Sequence, residues 1–216
     1  MPTIFAFPNE YTVGITSLGY QVIWAMLAQR ADLQVSRLFT DIHEPLPSES
    51  ELLGFSVSWE LDYINILNLL ESLEIPVDAE TRADTHPLVF GGGPVLTANP
   101  EPFAAFFDVI LLGDGEQLLH DFIDAYQGVR DASRAEKLLA LAQVPGVYVP
   151  SLYEPIYTDP TGPIAAIHPV SAAVPATVEK RTYRGNQLLA STVVTEKAAW
   201  ENIFMVEVVR SCPEMC

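Results

Sequence analysis

The sequence predicts an α/β fold, a doubly wound parallel sheet of Rossmann-like type, over about residues 1–145. Short apolar runs alternate with amphipathic stretches of helical length, glycine clusters follow two of those runs, and the alternation stops where a proline-rich tract begins near Val144. Strands separated by helices require right-handed crossovers, and these give a parallel sheet covered on both faces.

The elements follow in order. Residues 3–7 form a short apolar strand ended by Pro8-Asn9-Glu10, and residues 17–30 place Leu18, Val22, Ile23, Met26 and Leu27 at helical spacing. A second strand is expected at 33–39, a third at 52–57 and an amphipathic helix at 61–73. A fourth strand at 87–90, a short helix at 102–107, a fifth strand at 109–112 and helices at 116–126 and 132–143 complete the domain. Residues 146–200 are expected to be a connector with short extended pieces, rich in proline as far as Pro175. Residues 201–216 open a new unit, in which the apolar run 203–209 is predicted as a strand that delivers Cys212 and Cys216. There is no internal repeat and no low-complexity tract.

With 216 residues, 49% of them hydrophobic, the chain can bury a core. Its apolar runs fall far short of the roughly 18 residues of a membrane span, and no basic region precedes an apolar stretch at the amino terminus, so a cytoplasmic protein is expected. Eleven basic residues against 28 acidic ones leave a formal charge of −17, which repels nucleic-acid phosphates and anionic lipid. The acidic residues are dispersed, as on a solvated surface. Both cysteines fall in the last five residues, a distribution that suits chemistry rather than disulfide stabilisation.

In an open parallel sheet, ligands bind beyond the carboxyl ends of the strands near the switch in strand order. Gly91-Gly92-Gly93-Pro94 follows the fourth strand and Gly113-Asp114-Gly115-Glu116 the fifth, each leading toward a helix with free N–H groups. Ser56 and Ser58 add hydroxyls at the end of the third strand. Together these residues are a candidate ligand cradle, although turn closure alone also selects glycine. Neither cluster has the spaced dinucleotide fingerprint, and no Gly-Lys-Ser or Gly-Lys-Thr follows a strand, so a nicotinamide dehydrogenase and a P-loop nucleotidase are disfavoured.

Cys212-Pro213-Glu214-Met215-Cys216 is the sharpest motif. Two thiolates separated by three residues can grip neighbouring irons of one cluster. A structural zinc half-site and a fortuitous pair are the alternatives. Zinc needs at least two more ligands, and His43, His86, His120 and His168 are scattered without zinc-like spacing.

The run from Phe204 to Cys216 resembles the first barrel strand and the opening of the C-x3-C-x2-C motif of radical S-adenosylmethionine enzymes. Upstream, residues 11–21, 54–70 and 89–116, with their Gly-Gly-Gly-Pro, Asn-Pro-Glu-Pro and Gly-Asp-Gly-Glu elements, resemble the cobalamin-binding-type domain fused ahead of that barrel. The resemblance covers essentially the whole chain. It implies a [4Fe-4S] cluster held by three cysteines, Cys212 and Cys216 among them, with S-adenosylmethionine chelating the fourth iron. Reductive cleavage of the sulfonium then starts radical chemistry, or methyl transfer where cobalamin takes part, and a reductant protein such as a flavodoxin or ferredoxin supplies the electron. The protein contributes orientation and a dry cavity.

Two departures accompany the resemblance. The third cysteine of the motif would stand at position 219, so the chain is read as a front portion, expected to be inactive by itself. The Asp-x-His-x-x-Gly signature that places a histidine under cobalt is missing: Asp41-Ile42-His43-Glu44-Pro45-Leu46 lacks the glycine and follows the second strand rather than the first. Methylthiotransferases carry three further cysteines in their leading domain, and none precedes Cys212 here. A response regulator would end its third strand on an Asp, where this chain has Ser56-Val57-Ser58. Two functions remain: a cobalamin-binding domain of a radical enzyme, with Ser56, Ser58, Gly91, Gly92, Gly93, Gly113, Asp114, Gly115 and Glu116 on the rim, or a cofactor-free docking domain that positions the barrel or a partner.

Overall fold

The computed structural model describes residues 1–185 and 188–210. Strands β1 (Pro2–Ala6), β3 (Leu52–Ser56) and β4 (Leu88–Gly92) are buried along nearly their whole length, as strands covered on both faces must be. With β2 (Gln34–Leu38) and β5 (Val109–Leu111) they pair in parallel, in the order β2-β1-β3-β4-β5. The α/β parallel sheet expected from the sequence is therefore present. A sixth strand, β6 (Val147–Tyr148), joins β5 antiparallel. It lies just past residue 145, and two residues are too few to display a strand's alternation.

Successive side chains point to opposite faces, so each strand feeds two cores. Phe5, Leu52, Leu88, Phe90, Val109 and Leu111 pack on one side, beneath α2 (Leu18–Ala28), α5 (Gly115–Gly128) and α6 (Arg134–Leu141). Ile4, Leu53, Phe55, Val89 and Ile110 pack on the other, against α3 (Tyr63–Ser72) and α4 (Pro94–Ala98). A helical turn, α1 (Tyr11–Gly14), precedes α2. Ser17 caps α2 by accepting from Tyr20 N, and Ser133 with Glu136 forms a capping box at α6, each satisfying otherwise free N–H groups. The short helix expected at 102–107 is a 3-10 helix, Glu101–Phe106.

A buried ionic network fixes the β4–β5 crossover. Asp108 Oδ2 accepts from Val89 N at 2.7 Å, Arg82 Nη1 at 3.0 Å and Arg134 Nη2 at 2.6 Å. Arg82 also donates to the carbonyls of Pro76, Val77 and Phe106, so a guanidinium with no exposed side-chain surface keeps its hydrogen bonds.

Beyond the sheet, β7 (Tyr153–Tyr157) and β8 (Ile164–Pro169) form a separate antiparallel hairpin. The chain then returns along the carboxyl edge of the large sheet. Arg181 N donates to Leu112 O, Thr192 N and Val193 N donate to Gln21 Oε1, and Ala199 N donates to Thr12 O. This returning strap comprises residues 181–185 and 188–210. The strand expected at 203–209 is not formed: Val206 makes an isolated bridge with Ala190, while Phe204, Val208 and Val209 are exposed. A strand requires a ladder partner, and among the described residues only 189–191 offers one.

Candidate functional site

A cleft of about 140 Å³ opens at the carboxyl ends of β3, β4 and β5. Its floor is apolar, made by Phe5, Tyr20, Phe90, Leu111 and Leu119. Tyr20 stacks on Phe5 with ring centroids 5.1 Å apart and donates its hydroxyl to Phe5 O at 3.4 Å. Burial pushes the Tyr20 phenol far above its ordinary range, so the floor stays uncharged. Gly54 lies opposite Phe90 in the β3–β4 register, and its missing side chain leaves room for the Phe90 ring.

The rim combines expected and unexpected residues. Ser56, Ser58, Gly92, Gly93, Gly113 and Gly115 all line the cleft, so the two glycine clusters and the β3 serines do converge. Ser17, Gly19 and Ile23, from the start of α2, complete it; of these the sequence marks only Ile23, and only as an apolar position of the helix. The available signal was a serine cap two residues before a glycine, directly after the first strand's loop. A Cβ on Gly19 would meet no atom within 4 Å, and one on Gly92 would come no closer than 3.7 Å to Leu111. The absent side chains at these two positions leave space in the cleft itself.

The other glycines have different reasons. Gly93 has φ +119°, and a Cβ there would stand 2.5 Å from Val57 O. Gly113 has φ +107° and abuts the Arg181 main chain. Both conformations favour glycine without any ligand. Gly91 is buried and faces Leu96 and Phe107 in the opposite core, away from the cleft.

Asp114 and Glu116 flank the amino end of α5 but turn to the strap. Asp114 Oδ2 accepts from Tyr183 N at 2.7 Å, and Glu116 Oε1 pairs with Arg210 Nη1 at 2.5 Å. Two carboxylates here compensate the helix dipole and disfavour an anion, so the cleft suits a neutral, flat, apolar group. At about 140 Å³ it is smaller than the roughly 300–1,000 Å³ of pockets that enclose a drug-sized ligand, and it fits one end of a larger molecule.

Other motif residues have structural employment. Glu101 of Asn-Pro-Glu-Pro accepts from the Tyr148 hydroxyl at 2.6 Å, tying the β4–β5 crossover to β6. Asp41 accepts from Tyr11 N, and His43 Nδ1 meets Glu44 O at 2.7 Å beside the edge strand β2, so His43 is not at the cleft. Among the described residues no group of three His, Cys, Asp or Glu side chains is placed to hold a metal ion, and no helix is long and apolar enough to cross a membrane. Cys212 and Cys216 lie outside the described residues. A wider hollow of about 760 Å³ opens near the amino ends of β3 and β4, but its Arg130 and Arg134 are already paired with Glu51 and Asp108.

A family model described as radical SAM proteins, N-terminal, matches residues 26–150. The chain belongs to this family. The radical SAM N-terminal match begins within α2 and runs past β6, taking in the glycine clusters and the serines at and just after the end of β3. An uncharacterized protein of Methanocaldococcus jannaschii is 26% identical over 110 residues, which is 51% of this chain and 23% of that protein. The chain thus spans less than a quarter of that relative's length. Membership of the radical SAM N-terminal family ties the chain, in general terms, to S-adenosylmethionine and iron–sulfur chemistry.

Proposed function

We propose that this chain is the leading part of a radical S-adenosylmethionine iron–sulfur enzyme, and that its carboxyl-edge cleft receives the neutral aromatic base at the end of cobalamin's nucleotide tail, with the tail's phosphate outside it. The observation that carries the reading is the cleft itself: an uncharged aromatic floor beneath two glycines, Gly19 and Gly92, whose missing side chains leave it open. In the family's chemistry, the cluster and S-adenosylmethionine supply a radical and cobalamin supplies a methyl carrier. Phe5, Tyr20 and Phe90 are buried in the core and would back the cleft, keeping its floor apolar and rigid beneath the flat base. The hydroxyls of Ser17, Ser56 and Ser58 would hydrogen-bond its polar substituents. No histidine lines the cleft, so none of its described residues would offer an imidazole to cobalt. Cys212 and Cys216, with a third sulfur at position 219, would hold the cluster.

Titration of the protein with hydroxocobalamin, followed by visible absorbance after removal of free ligand, tests this reading. Stoichiometric retention is expected, and Gly92→Val is expected to weaken it at least tenfold. Absence of retention by the wild-type protein would favour the second reading, a cofactor-free domain that positions the barrel or a partner. That alternative is supported by Gly93 and Gly113, whose conformations the fold explains unaided, and by the exposed Trp59 and Leu61 after β3.

A further inference from the structure

Arg210 stands two residues ahead of Cys212 and is the last described residue of the chain. Three carboxylates from two distant parts of the sequence surround its guanidinium. Glu207 receives it in a fork, Nε to Oε1 at 2.7 Å and Nη2 to Oε2 at 2.9 Å. On the other side, Nη1 lies 2.5 Å from Glu116 Oε1 and 3.9 Å from Asp114 Oδ2. The guanidinium carbon also sits 5.4 Å from the centroid of the Tyr183 ring, and Tyr183 is itself fixed by its N–H to Asp114. A guanidinium offers five N–H donors in a rigid plane, so one edge can hold a carboxylate bidentately while another edge faces a second, whereas a lysine ammonium offers three donors on a flexible stem and no fork.

The location gives this cluster its meaning. Asp114 and Glu116 flank Gly115, which lines the cleft, while Glu207 and Arg210 belong to the run that enters the cysteine motif. We propose that Arg210 is a positioning residue: it latches the segment entering Cys212 to the first turn of α5, with Glu116, Asp114 and Glu207 as its seat. The rim acids hold the strap and not the cofactor. The latch fixes Arg210, the residue from which the chain continues toward Cys212, beside the first turn of α5. Its bearing on a cluster rests on the proposal that Cys212 and Cys216 are cluster ligands, but the latch is made by described residues and can be measured without iron.

Hydrogen exchange on the protein as described tests the latch. Arg210→Ala is expected to speed exchange in peptides covering 181–185 and 205–209 at least tenfold, Arg210→Lys is expected to restore part of the protection, and Glu116→Gln should reproduce most of the loss. The double variant Arg210→Ala/Glu116→Gln should be little worse than Arg210→Ala, because partners in one contact are not additive. Unchanged protection, or additive losses, would overturn the latch. In the full-length protein reconstituted anaerobically, Arg210→Ala should retain iron but shift the g-values of the reduced cluster, with Arg210→Lys closer to wild type. Wild-type g-values at full iron content would overturn the positioning role. Iron that survives Cys212→Ala would instead overturn the cluster assignment, leaving the exchange result to stand by itself.

Discussion

Gly113 and Arg181 lie side by side on the carboxyl edge of the sheet: Arg181 N donates to Leu112 O at 2.9 Å, and Asp114 N donates to Arg181 O at 2.9 Å. A glycine that reads in the sequence as part of a ligand cradle is therefore also a docking point for the returning strap. Gly113→Ala is expected to destabilise the fold by about 1–3 kcal/mol, since it forces a side chain at positive φ against a neighbouring backbone. Gly92→Ala, in ordinary backbone where a Cβ makes only van der Waals contact with Leu111, should stay within about 0.5 kcal/mol of wild type. Thermal midpoints of the two variants check the contrast, and equal losses would refute the division of the rim into fold glycines and cleft glycines.

Gln21 is buried and joins three elements: its amide donates to Ile15 O at 2.6 Å, and its oxygen accepts from Thr192 N and Val193 N, both at 2.9 Å. Gln21→Ala is expected to cost about 1 kcal/mol and to raise hydrogen exchange at 192–193 while sparing β3 and β4. Uniform loss of protection across the sheet would show that the strap does not open as a local unit.

Asp108→Ala removes the carboxylate that neutralises Arg82 and Arg134 in the interior. Burial already holds the Arg82 guanidinium below its ordinary pKa, with Asp108 opposing that shift. Leaving these cations unpaired is expected to cost roughly 3–5 kcal/mol, read as a lowered denaturant midpoint. Arg82→Met in the Asp108→Ala background should recover part of it.

Asp62 gives a pH signature. It is 6% exposed, Oδ1 accepts from Asn9 Nδ2 at 2.8 Å, and Oδ2 has no partner. Burial raises its carboxyl above the ordinary 3.8, against the lowering effect of Asn9. The folded state therefore holds this proton more tightly than the unfolded state does. Its contribution to stability is full below the unfolded value and is lost as pH rises through the raised folded value. Asp62→Asn should raise the thermal midpoint at neutral pH, with the advantage shrinking as pH falls toward 3.8. A pH-independent difference would contradict this account.

The fold was legible in the sequence because the central strands are apolar on both faces and separated by helices. β6 escaped notice at two residues, and the run at 203–209 misled because apolar periodicity cannot report whether a ladder partner exists. The rim serines and glycines were visible as strand-end clusters. Gly91 did not separate from its neighbours, since adjacent positions on a strand face opposite cores. The contributions of Ser17 and Gly19 depend on where α2 crosses the sheet edge, and the seat of Arg210 joins residues about 90 positions apart in sequence, which no local pattern records.

Iron analysis tests most directly whether the chain leads into a cluster-bearing radical enzyme. Anaerobic reconstitution of the full-length protein should yield about four irons per chain, in an oxygen-sensitive cluster with the absorbance of [4Fe-4S], and Cys212→Ala or Cys216→Ala should abolish it. Unchanged iron content in both variants would contradict the account.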